Sequence, residues 1–128
     1  MIVNNCMKYL LAIILMLCSL TARAELFENW TDKEKILYGT ATLAMLADYK
    51  STASVLYPDQ GYKEMNPFLG EQPSKSKLTA WFVGWAIGHY FIVNNLDHEY
   101  RTQYLLTVTI VHGIAAAHNV SIGATIKF

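Results

Sequence analysis

Asp48, His89 and His112 are the residues of this chain whose types could do chemistry. Each stands near the middle of one of three expected helices, where within a membrane an ionisable side chain is costly unless it is paired or hydrated. A carboxylate set beside an imidazole decides which ring nitrogen carries the proton, and such a pair can relay protons or help hold a metal. The plainer alternative has each histidine bonding a backbone carbonyl while Asp48 faces water. The sequence leaves both open. Glu64 is a fourth candidate, either joining Asp48 in a polar site or only bracing its own loop.

Other chemistries find no support. His112 and His118 are six residues apart and fall on different helical faces, and His98 stands at a helix start, so no zinc spacing is present and no metal is expected. Ser51, Ser54 and Ser74 lack the bracketing glycines of a nucleophile elbow, and no glycine-rich phosphate loop exists. Asn29-Trp30-Thr31 and Asn119-Val120-Ser121 fit a glycosylation pattern but read better as helix-boundary residues. Action by interaction rather than catalysis is therefore expected, with no cofactor.

These side chains must be positioned by helices. Thr31-Asp32-Lys33-Glu34 has the form of a capping box, and a first helix is predicted over 32–57. At helical spacing Thr40, Ala44, Asp48 and Thr52 share one small, polar face, suited to point into a bundle. The following segment holds Pro58, Pro67 and Pro73 with Gly61 and Gly70, so it is a connection. Its Tyr57, Tyr62, Met65, Phe68 and Leu69 are too apolar for a solvated linker, which predicts an ordered loop. Within it Glu64 and Asn66 precede a proline that lacks a donor, and are expected to staple the loop to helix ends.

A second helix is predicted over 74–96, entered at Pro73-Ser74, and its run Leu78 to Leu96, of about nineteen residues, is the best membrane span. Asp97 is the expected cap of a third helix over 98–119. Gly84 and Gly88 on the second helix, and Thr109, Gly113 and Ala117 on the third, make two small-residue faces expected to meet in an antiparallel hairpin. The ending from Val120 to Phe128 alternates like the last strand of an outer-membrane barrel, but one strand cannot make a barrel of at least about eight.

The N-terminus supplies the address. Lys8, the apolar run Tyr9 to Leu20, and Ala22-Arg23-Ala24 before Glu25 have the order of a cleavable signal peptide, with Met1 or Met7 as its start. Residues 25–128 then form a single domain. Cys6 and Cys18 are the only cysteines and both lie in the signal, so no disulfide is expected in the mature chain. Leu17 before Cys18 argues against lipidation. Ten basic residues balance ten acidic ones, which excludes a nucleic-acid partner. With 53% hydrophobic residues collected into blocks, the expectation is an all-α, three-helix membrane bundle. It would sit in the bacterial inner membrane with a periplasmic N-terminus, since Lys63, Lys75 and Lys77 favour the cytoplasmic side. Lipid, another membrane protein or a second copy are the expected partners.

The stretch Glu64-Met65-Asn66-Pro67-Phe68-Leu69-Gly70-Glu71-Gln72-Pro73-Ser74, preceded by Asp48-Tyr49-Lys50-Ser51-Thr52, resembles a group of small bacterial and phage-associated membrane proteins. Their pattern is D-x-x-x-T, then E-x-N-P-x-L-G-x-x-P-S, then a hydrophobic helix. The resemblance spans Trp30 to Phe82 and, more faintly, His118-Asn119. It implies a shared helix–loop–helix unit with Asp48, Thr52, Glu64 and Asn66 in its polar core; a phage-type accessory role in the envelope is conceivable, and no residue selects it. The rival is a membrane-embedded enzyme or a proton- or metal-handling protein using Asp48, His89 and His112. When the protein is expressed in a bacterium, its intact mass is expected to match a chain beginning at Glu25; a mass retaining residues 1–24 would refute the cleavage.

Overall fold

The computed structural model describes residues 27–57 and 61–126. The signal segment 1–24, its two cysteines and the choice of start therefore lie outside the described residues. The chain divides after Thr31 into two units. In the first, Phe27–Asn29 make a turn closed by Trp30 N–H on the Phe27 carbonyl at 3.1 Å, with the two rings edge to face.

The second unit, Asp32–Phe128, holds three helices: α1 (Asp32–Leu56), α2 (Lys75–Asn95) and α3 (His98–Ser121), and there is no strand among the described residues. Alanine, leucine and lysine supply eleven of the 25 residues of α1, and Asp32 and Glu34 in its first turn suit the positive end of the helix dipole. Ser74 caps α2, its hydroxyl accepting the Lys77 N–H at 3.2 Å. Asp97 occupies the cap position of α3 with extended backbone, yet its side chain makes no capping bond, contrary to expectation. Val120 and Ser121 continue α3 and are not strand, because Ile122 N–H still reaches the His118 and Asn119 carbonyls; Gly123, with φ +106°, turns the chain away.

Cross-helix contacts fix the directions. Glu34 meets His98 and Arg101, Asp48 meets His112, and Ser51 and Thr52 meet Asn119, so α1 and α3 run parallel in a nearly constant register. Between them α2 returns antiparallel: Tyr49 hydroxyl bonds Thr79 at 2.9 Å near its start, and Tyr38 stacks on His89 nearer its end. α1 and α3 pack closely, whereas α2 and α3 scarcely touch.

That arrangement corrects the expected hairpin. A Cβ placed on Gly84, Gly88 or Gly113 would meet nothing within 4 Å, and Ala117 is exposed, so the small-residue faces do not meet within this chain. The close interface belongs to α1 and α3 instead. The buried residues of α1 are Glu34, Ala41, Met45, Asp48, Ser51, Thr52, Val55 and Leu56, so the predicted face holds at Asp48 and Thr52, while Ala44 is half-buried and Thr40 is exposed with its hydroxyl on the Ile36 carbonyl.

The membrane expectation is also corrected. Among the described residues no helix is long and apolar enough to cross a membrane. In α2, the best candidate, Thr79, His89, Asn94 and Asn95 break the run and two glycines add little hydropathy. The inferred orientation across a bilayer loses its basis with the spans. Even so, large side chains such as Ile36, Leu43, Ile87, Phe91, Ile110 and Ile114 are exposed while polar groups occupy the interior.

One end of the unit is closed by charge. The Glu34 carboxylate, 2% exposed, accepts from Arg101 Nη1 at 3.3 Å and lies 3.0 Å from His98 Nδ1. Arg101 is itself buried and also donates to the carbonyls of Val93 at 3.0 Å and Leu96 at 2.8 Å, satisfying the last turn of α2. Three helices are thus tied by one guanidinium. Removing one partner strands the other in a low dielectric, so Glu34→Ala is expected to lower unfolding free energy by about 3 kcal/mol in urea titration, and Glu34→Gln by less; an undiminished midpoint for Glu34→Ala would refute the clamp.

Candidate functional site

From the clamped end, α2 diverges from α3, and the loop 61–74 fills part of the space between them. The loop is ordered as expected. Glu64 Oε1 accepts the Asn66 N–H at 2.8 Å, Asn66 Oδ1 accepts the Phe68 N–H at 3.0 Å, and Gly70, with φ +76°, closes the turn onto the Asn66 carbonyl. These two side chains staple the loop to itself and not to helix ends. Its anchorage to the helices comes from other residues: Tyr62 hydroxyl on the Ile122 carbonyl at 2.6 Å, Lys77 on the Leu69 carbonyl at 2.7 Å, and Tyr57 hydroxyl on the Pro73 carbonyl at 3.0 Å. Leu69 is buried with Leu56 and Leu78 in an apolar cluster. Pro67 thus sits in a built turn, and Pro73 and Ser74 form the entrance to α2.

What the divergence leaves is a partly open cavity of about 670 Å³. α2 contributes Trp81, Phe82 and Trp85 to its wall, and α3 contributes Val108, Val111 and His112. α1 supplies Asp48 and Thr52. Glu64, Asn66 and His118 also line it.

Asp48 Oδ2 lies 2.7 Å from His112 Nδ1, joining α1 to α3. Both side chains are largely buried. The other carboxylate oxygen accepts from Thr52 Oγ1 at 3.3 Å. Asn119 Nδ2 in turn donates to Thr52 Oγ1 at 2.9 Å and Ser51 Oγ at 3.0 Å, and Ser51 Oγ donates to the Asp48 carbonyl at 3.0 Å. Such a relay fixes the carboxylate, and the carboxylate fixes the imidazole. With Asp48 ionised, Nδ1 carries the proton and donates, which leaves Nε2 of neutral His112 as an acceptor on a cavity-lining residue. The arrangement can hold a donor group or take up a proton.

The structure therefore brings Asp48 and His112 together and places His89 elsewhere. His89 is 1% exposed, sandwiched between the rings of Tyr38 and Tyr104 with centroids at 5.0 and 5.5 Å. Its Nδ1 lies 3.3 Å from the Tyr104 hydroxyl, while Nε2 is buried without a hydrogen-bond partner among the described residues. Burial holds this imidazole below its ordinary pKa, and His112 pushes it in the same direction to a smaller extent. Burial likewise raises the phenols of Tyr38 and Tyr104. Among the described residues no group of three or more His, Cys, Asp or Glu is placed to hold a metal ion.

Asn119, Ser51, Arg101 and Glu34 carry the polar seam without having been singled out for it in the sequence. A signal was present: Arg101, Leu105, His112, Ala116 and Asn119 recur at helical spacing and so share a face of α3. No protein-family model, curated protein or solved structure matches the chain.

His89 gives a pH test. Below its ordinary value of 6.5 the unfolded chain takes up a proton on this ring while the folded chain resists, so stability falls as pH falls until the depressed folded value is reached. The slope contributed is at most about 1.4 kcal/mol per pH unit. Urea unfolding of wild type and His89→Phe between pH 7.5 and 5.5 is expected to show a shallower loss for the variant; equal slopes would refute a neutral, buried His89.

Proposed function

We propose that this protein is an exported binding protein of the bacterial envelope that holds one small amphipathic molecule in the cavity between α2 and α3. The carrying observation is the 2.7 Å Asp48–His112 contact on the wall of a chiefly apolar cavity of about 670 Å³. That volume is of the size that takes a small organic molecule, and an apolar wall with a few fixed polar groups is the common form of such sites. Trp81, Phe82 and Trp85 offer flat surface to the ligand's body. His112 Nε2, held as an acceptor, takes a donor on its head. A signal-type N-terminus and the resemblance to envelope proteins support the compartment, and the resemblance covers Asp48, Thr52, Glu64 and Asn66, all of which line the cavity.

The pair would equally accept a proton from a bound molecule, since a carboxylate behind an imidazole stabilises the imidazolium that forms. The two hydroxyls beside the pair are both engaged, Ser51 with the Asp48 carbonyl and Thr52 with the Asp48 carboxylate, and neither bonds the imidazole that would have to activate it. Binding, with hydrogen-bond or proton acceptance at His112, is thus the better reading than covalent catalysis.

The neutral probe N-phenyl-1-naphthylamine tests this, because it has an aromatic body and a single N–H donor. Saturable binding of one molecule per chain is expected, with energy transfer from tryptophan. His112→Phe should weaken it about ten-fold by removing the acceptor. Ala115→Phe, which adds bulk to a cavity-lining position and removes no polar group, should weaken it at least as much. Unsaturable binding indifferent to both folded variants would overturn the proposal.

A further inference from the structure

The charges around the cavity are unequal, and this points to the sign of the ligand. Two carboxylates line it, Asp48 from α1 and Glu64 from the loop. Lys63 is the one ammonium or guanidinium on the lining among the described residues, and it is drawn off by Glu71, whose carboxylate lies 2.6 Å from its Nζ on the exposed surface. Among the carboxylates, ammoniums and guanidiniums of the lining, negative charge is therefore in excess. Glu64 spends Oε1 on the Asn66 N–H. A carboxylate has further acceptor sites on Oε2 for which no partner is seen among the described residues.

The aromatic lining has the same preference by a different mechanism. Trp81 and Trp85 are part exposed, line the cavity one helical turn apart on α2, and carry electron-rich ring faces. Such faces attract cations, indole most strongly, and the attraction grows where water is excluded. Phe68 stacks on Trp81 with ring centroids at 5.7 Å, holding that indole in place. Low-dielectric walls also strengthen the field of each carboxylate inside the cavity.

We infer that the cavity selects an organic ammonium: a molecule with an apolar or aromatic body and a protonated amine, the cation lying against Trp81 and Trp85 within reach of Glu64 and Asp48. This rests on the cavity being a binding site and adds the ligand's charge, which the neutral probe above does not read.

Three matched ligands separate the two. Titration calorimetry and tryptophan fluorescence at neutral pH are run with 2-phenylethylammonium, 2-phenylethanol and 3-phenylpropanoate, which share a body and differ in charge. The ammonium is expected to bind about ten-fold tighter than the alcohol, and the carboxylate weakest, with only the ammonium's affinity falling steeply as salt is raised. Glu64→Gln keeps a carbonyl for the Asn66 N–H, so the loop stays built; it should weaken the ammonium several-fold more than the alcohol. Trp85→Leu should do the same through loss of the indole face. Equal affinities for ammonium and alcohol, or a preference for the carboxylate, would overturn the inference while leaving the cavity as a binding site. If none of the three binds while the neutral probe still does, the inference again falls alone. If the probe fails as well, both readings fall.

Discussion

The contact on which the rest depends is the polar seam between α1 and α3. Helices commonly meet through apolar stripes, which tolerate sliding because dispersion is non-directional. Here the matched groups are a carboxylate with a guanidinium at one end, a carboxylate with an imidazole in the middle, and an amide with two hydroxyls at the other. A buried polar group left without its partner costs more than the bond itself returns, so a shift of one turn would strand several groups at once. The seam therefore sets register as well as cohesion. It also leaves α2 as the looser element, which is tied at the Arg101 end, to α1 and to the loop, and meets α3 through His89 and Tyr104 but makes few contacts with it elsewhere.

Element type and extent were legible from the sequence because caps, prolines and glycines are local signals. Ser74 stood at its cap and the loop folded on Asn66 and Gly70 as their chemistry dictates. A pairing of Asp48 with one of the histidines was legible only as one of two options, on the ground that ionisable groups in apolar helices need partners. Which histidine took the carboxylate was not, since His89 and His112 are equivalent by that rule and only the parallel register separates them. The predicted α1 stripe held at Asp48 and Thr52 but was one residue off at Thr40 and Ala44, and on α3 Ala116 is buried where Ala117 was expected. On a helix one residue is about 100°, and small residues such as Thr40, Ala44, Gly113 and Ala117 mark a face too weakly to decide between neighbours. Glu34 and Arg101 escaped for another reason. A capping-box glutamate and a helix-start arginine look ordinary unless two segments far apart in the chain are known to be adjacent.

The membrane expectation failed where composition stood in for arrangement. A blocked, 53% hydrophobic chain suggested spans, yet its longest run is divided by His89 and the asparagines that follow. What the blocks do instead is clothe the outside. Ile36, Leu43, Phe91, Ile110 and Ile114 face outward, while the interior is shared between apolar residues such as Leu78, Val93 and Leu105 and polar groups such as Glu34, Asp48 and Arg101.

The parallel arrangement of α1 and α3 has a kinetic consequence. The bonds described across the seam join residues between 64 and 68 positions apart, so none of them is local. Loops of that length close slowly, and the closure entropy comes before any contact repays it. The hairpin of α1 and α2, linked by a turn-rich loop with its own apolar cluster, can assemble early, whereas Asp48, Ser51 and Thr52 must wait until the last helix has been made. A helical chain with this wiring folds by the rules of high contact order, with its transition state set by when α3 reaches α1 and not by how fast its helices form.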